Sequence, residues 1–104
     1  MAWRSVYALV VSRLHGPASR GPALHRVTIR GFKFDPDSLS ISAGDTVEWV
    51  NQDIVPHTST ARNAHWSSPS IQPNDSWRTV LTIPGSERYG CQLHPAMQAK
   101  LEVR

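Results

Sequence analysis

From Val27 to the C-terminus, apolar and polar residues alternate with a period of two in one short run after another. That period puts successive side chains on opposite faces of an extended chain, so each run predicts a half-buried β-strand. In "VTIRGFKF", Val27 and Ile29 share one face and Thr28 and Arg30 the other. "SLSIS" sets Leu39 and Ile41 against Ser38, Ser40 and Ser42, and "DTVEWVN" sets Val47 and Trp49 against Thr46 and Glu48. "WRTVLTI" sets Trp77, Thr79, Leu81 and Ile83 against Arg78, Val80 and Thr82. "ERYGC" and "AKLEV" finish the chain. The turn-forming stretches "DPDS", "AGD", "QPND" and "PGS" separate the runs. Short strands punctuated in this way predict an all-β antiparallel sandwich or barrel.

The N-terminal segment is different. Trp3, Val6, Tyr7, Val10, Val11 and Leu14 recur at helical spacing until Gly16, Pro17, Gly21 and Pro22 break the pattern. No acid precedes Asp35, and Arg4, Arg13, Arg20 and Arg26 lie in residues 1–26. The remaining seven basic residues face all eight acids, so residues 27–104 are nearly neutral at −1. A nucleic-acid partner would need basic residues clustered on a folded face among aromatics, and that region has no such cluster. The Arg-bearing, acid-free start predicts a degenerate export signal, a tail or an added edge strand. Residues 1–25 are therefore set apart from a single domain over 26–104, a length that suits one core. No apolar run reaches the roughly 18 residues that span a membrane.

The chemistry concentrates in "YGCQLHPAM". Tyr89 and Cys91 are two apart, so the sulfur of Cys91 ends a strand facing the interior. His94 and Met97 follow at intervals of three, in a loop that must fold back before the strand at Lys100–Val103. A fourth donor, His57, follows Pro56 in "NQDIVPHTST", just past a strand end, and Pro56 stiffens its approach. A thiolate, two imidazoles and a weak thioether form the ligand set of a blue-copper electron-transfer site. Sulfur donors suit Cu(I) and imidazole also accommodates Cu(II), so a rigid site passes an electron with little reorganisation.

Each residue also has a plainer reading. A lone Cys is most often a small buried hydrophobe, His57 could be a satisfied loop histidine, and Met97 could fill the core. C-x2-H is half a zinc finger, but no second Cys pair completes it. A Cys/His nucleophile would need an orienting group and an oxyanion hole, and no motif supplies them. His15, His25 and His65 are assigned no metal. The joint pattern of C-x2-H-x2-M between strands, with an upstream Pro-His, favours the metal.

These motifs resemble the cupredoxin family, and within it amicyanin and plastocyanin. "SISAGDTVEWVNQDIVPHT" is similar to the family's block carrying the first histidine ligand, and "PGSERYGCQLHPAMQAKLEV" to its C-terminal ligand loop. The resemblance covers Arg26 to Arg104, and the short His94–Met97 interval with Pro95 is similar to the amicyanin loop. It implies a Greek-key β-sandwich and one type 1 copper held by His57, Cys91, His94 and Met97. It further implies a small soluble, monomeric electron carrier, not an enzyme, in the periplasm or outside the cell. Redox proteins would be its donor and acceptor, with neither nucleic acid nor a membrane span. Copper storage or delivery through the same ligands is the alternative function, and a metal-free structural domain is a second rival. Two positions depart from the family pattern. Thr58 stands where Asn often ties the two ligand loops together, and Glu87 where a large apolar residue commonly precedes the Cys.

Overall fold

The structure, a computed structural model, describes residues 21–104. The helical pattern expected up to Leu14 lies outside them. Eight strands form in chain order: β1 (Leu24–Arg30), β2 (Lys33–Asp35), β3 (Ser38–Ile41), β4 (Asp45–Asn51), β5 (Thr60–Ala61), β6 (Ser76–Leu81), β7 (Gly85–Gly90) and β8 (Gln98–Val103). They make two four-stranded sheets, ordered β2-β1-β4-β6 and β3-β8-β7-β5. The described residues contain no helix. The architecture is one of the two that the alternation allowed, a β-sandwich, and of the Greek-key kind that the family resemblance implied.

The core is made of the residues that the alternation turned inward. Val27, Ile29, Ile41, Val47, Leu81, Leu101 and Val103 are buried between the sheets. At their centre Trp49 is fully buried, with ring centroids 5.9 Å from Trp66, 5.8 Å from Trp77 and 5.5 Å from Tyr89. Aromatic rings bury large apolar areas and prefer such offset and edge contacts, so this cluster anchors the two sheets to each other.

Three features differ from the strand pattern. The run "VTIRGFKF" is broken by a two-residue turn at Gly31 and Phe32, whose φ angles are +61° and +59°, with Arg30 opposite Lys33. Positive φ at both positions is the turn that matches the twist of a hairpin, so β1 reverses into β2. Each sheet also holds a parallel pair, β1 with β4 and β3 with β8, where antiparallel pairing was expected. The chain leaves the first sheet after β2, crosses to the second as β3 and returns as β4, and that crossover lets β4 run alongside β1. Ile83, set on one face with the buried Leu81, lies beyond the end of β6 and is 56% exposed.

Two carboxylates knit the first sheet. Glu48 lies on the nominally polar face yet is buried, because the register puts Arg26, Glu48 and Arg78 side by side on β1, β4 and β6. Arg26 Nε and Arg78 Nη2 each donate to it at 2.7 Å. Asp45 accepts the Ala23 N–H at 2.9 Å, the His25 imidazole at 2.9 Å and the Ser42 N–H at 3.0 Å, so it fastens the start of β1. Ordered pairing therefore begins at Leu24, ahead of Arg26.

The Ala23 N–H, then the His25 imidazole and the Ser42 N–H, lower the Asp45 pKa from 3.8 to about 2. A depressed carboxyl pKa stabilises the fold above its unfolded value, and that stabilisation is lost as pH falls from 3.8 toward about 2. Urea titrations between pH 5 and pH 2 should therefore show Asp45→Asn less stable than wild type at the upper end. The difference should shrink on acidification (a constant difference across the range would contradict this).

Candidate metal centre

The three donors expected to surround a metal come together at one end of the sandwich. His57, Cys91 and His94 each offer a ligand atom, and these atoms lie within 4.8 Å of one another. Cys91 Sγ is 3.7 Å from His57 Nδ1 and 3.6 Å from His94 Nδ1. Bonds of about 2.0 Å to nitrogen and 2.3 Å to sulfur, arranged in a plane around one ion, would separate sulfur and nitrogen by about 3.7 Å. The two sulfur–nitrogen separations thus suit a single ion between them. Met97, 4% exposed, borders a cavity of about 210 Å³ together with Cys91. His65 stays outside the cluster, near Glu87.

Backbone constraints bring Cys91, His94 and Met97 onto one tight loop. Cys91 follows the last residue of β7 on the inward face of Glu87 and Tyr89. The Met97 N–H donates to the His94 carbonyl at 2.9 Å, and the Cys91 N–H donates to the Met97 carbonyl at 3.3 Å. The returning chain passes so close to Gly90 that a Cβ there would sit 2.6 Å from the Met97 oxygen. Glycine at that position is what lets the loop close.

The loop carrying His57 is built on Asn51. Its buried amide donates to the carbonyls of Val55 and Ile71, both at 2.9 Å, and its Oδ1 accepts the Asp53 N–H at 2.9 Å. His57 then exchanges backbone bonds with Ile71 at 3.1 and 2.7 Å. Its Nε2 lies 2.8 Å from Asp53 Oδ2. An ionised carboxylate only accepts, so Nε2 carries the proton and Nδ1 keeps a lone pair aimed at the sulfur side. Burial pushes the Asp53 pKa up, but the N–H groups of Phe32 and Gly31 and the His57 ring outweigh it, so the carboxyl stays below its ordinary value.

Thr58 ties the two loops. Its N–H donates to Cys91 Sγ at 3.3 Å and its hydroxyl accepts the Gln92 N–H at 2.9 Å. The shorter side chain therefore still bridges the loops where Asn is usual. Glu87 is buried against the inward face with Oε1 lacking a hydrogen-bond partner, and His65 Nδ1 is 3.7 Å from it. A large apolar residue would leave no such orphan.

No protein-family profile matches the chain. It is 27% identical over 112 residues to amicyanin-alpha of Methylorubrum extorquens, an alignment covering 98% of this chain and 90% of that protein. A mutant amicyanin in its Cu(I) state superposes with a TM-score of 0.72 at 26% identity, covering 78% of this chain and 82% of that one. A purple cupredoxin from Nitrosopumilus maritimus gives a TM-score of 0.72 at 26% identity, covering 77% and 99%. The chain has the cupredoxin fold. Its donor cluster occupies loops set by Asn51 and Gly90, two residues whose roles the sequence did not reveal. Asp53 is a third such residue, and its signal in the sequence is the "NQD" turn, in which its N–H reaches back to Asn51.

Gly90→Ala should push the Met97 carbonyl away and weaken metal binding. Overpacking of this kind destabilises by roughly 1–3 kcal/mol. Thermal unfolding and copper titration of the variant check both effects, and an unaltered copper affinity would show that the close approach is immaterial.

Proposed function

We propose that the protein is a small electron carrier with one type 1 copper, held by His57, Cys91 and His94 in a plane and by Met97 as a weak axial donor. The observation that carries this reading is the meeting of one cysteine sulfur and two imidazole Nδ1 atoms at sulfur–nitrogen spacings that suit a single ion, with Met97 lining the same cavity as Cys91. Copper supplies a one-electron Cu(I)/Cu(II) couple that a mixed sulfur and imidazole donor set accommodates in both states. The chain's task is to hold the donors still. Asp53 orients the His57 ring, Thr58 fixes the sulfur, and the closed loop from Cys91 to Met97 holds the backbone of His94. Four protein donors leave no open position for a substrate, which favours a carrier over an enzyme.

His94 is half-buried and turns Nδ1 toward the sulfur, so its opposite edge is the short route to the surface. Phe32 and Leu93 are about half exposed beside it, and Ile54 stands 92% exposed on the His57 loop. An apolar rim around an imidazole suits brief encounters with a redox partner, which use small interfaces. The near-neutral charge of residues 27–104 favours weak electrostatic steering. The protein is proposed to act as an exported monomer, with the residues ahead of β1 as the leader or tail of a single domain. No helix among the described residues is long and apolar enough to cross a membrane.

Cu(II) added to the purified protein should give an intense visible thiolate-to-copper band that Cys91→Ser abolishes. Met97→Leu should keep copper bound and raise the reduction potential, because Cu(II) loses a weak donor. A band that survives Cys91→Ser would sink the copper assignment, and an unshifted potential in Met97→Leu would remove Met97 from the ligand set.

Leu93→Asp should slow electron exchange with a partner protein while leaving the visible spectrum intact. The wild-type rate should depend only mildly on salt. A steep salt dependence with no effect of Leu93→Asp would place docking elsewhere.

A further inference from the structure

Phe32 occupies a position that its residue type does not favour. Its φ of +59° lies in the left-handed region, where a bulky side chain is a rarity and Gly, Asn or Asp is usual. Nearly half its surface, 48%, is exposed, so it adds little to the core. Its ring instead lies edge-on against both imidazoles of the metal centre. The centroids are 5.3 Å from His57 at an interplanar angle of 89° and 4.9 Å from His94 at 86°.

The turn under this ring is fastened to the same centre. Asp53 Oδ1 accepts the Gly31 N–H at 2.6 Å, and Asp53 Oδ2 accepts the Phe32 N–H at 2.9 Å. That same Oδ2 is 2.8 Å from His57 Nε2. One carboxylate therefore sets the position of the Phe32 backbone and the orientation of the His57 ring together.

We infer that Phe32 is a positioning residue that retains the metal: its ring braces His94 and slows loss of copper to competing ligands. This rests on the reading of His57, Cys91 and His94 as the ligands. Release of an ion requires a donor to move away first. His57 and Cys91 are buried and each is tied by a neighbouring hydrogen bond, whereas His94 is half-buried and is the donor able to swing outward. The Phe32 ring lies against that imidazole, so the swing breaks an edge-to-face contact, a contact that favours the closed arrangement.

The test uses the full chain loaded with Cu(I), as wild type, Phe32→Gly and Phe32→Tyr, and follows transfer of Cu(I) to a bicinchoninate chelator. Phe32→Gly removes the ring and suits the left-handed turn, so it should fold. It should speed transfer by about tenfold, the loss of aromatic contacts of this kind. Phe32→Tyr keeps the ring and should transfer at close to the wild-type rate. In the copper-free protein, NMR relaxation of the His94 ring should show increased motion in Phe32→Gly and not in Phe32→Tyr. Loaded wild type and Phe32→Gly that lose copper equally fast would overturn the bracing role and leave the ligand assignment standing, as would a His94 ring equally mobile in both copper-free proteins. A wild-type chain that takes up no copper would overturn the ligand assignment and this role with it.

Discussion

The Thr58 N–H meets Cys91 Sγ at 3.3 Å, where two loops from different parts of the sandwich converge. One loop leaves β4 of the first sheet and the other joins β7 to β8 of the second. Packing of the sheets around Trp49 brings their ends to the separation at which this contact forms. Without it the His57 and His94 nitrogens would have no common point to face. The site is thus a property of sheet packing first and of its donor residues second.

Rigidity of the donors follows from how few of their neighbours are left unsatisfied. Asn51 uses its amide on two carbonyls and its oxygen on Asp53, and Asp53 in turn holds His57 and the β1–β2 turn. Buried polar groups linked in this way have few alternative arrangements, because each alternative strands a donor or acceptor. A redox site benefits directly, since movement of donors between oxidation states slows electron transfer. Two buried atoms without a hydrogen-bond partner among the described residues, Trp49 Nε1 and Glu87 Oε1, are the exceptions, and they belong to β4 and β7 rather than to the donor loops.

Much of the fold was legible because strands with one wet face carry a strict alternation. Val27, Ile29, Val47 and Leu81 are buried where the pattern put them. The pattern was silent on β5, which has two residues and no room for a period. It also gave no hint that Glu48 would be covered, because its burial depends on Arg26 and Arg78 arriving from two other strands. Within the site, the cysteine loop and Pro56-His57 stood out by chemistry and spacing. Asn51, Asp53 and Phe32 did not, since Asn51 reaches Ile71, Asp53 reaches the turn at Gly31 and Phe32, and the Phe32 ring reaches both imidazoles only once the chain has folded.

The sequence by itself determined the sandwich, the reversal of direction at its turns and the kinds of donor at one end. These rest on local chemistry: a period of two, the torsions of Gly and Pro, and the affinity of sulfur and imidazole for a soft metal. Tertiary structure alone decided that β1 and β4 run parallel, that Thr58 reaches the sulfur, and that one carboxylate holds both His57 and the turn carrying Phe32. Those facts concern distances between residues far apart in the chain. Such distances are set by how two twisted sheets pack, and no local pattern records that packing.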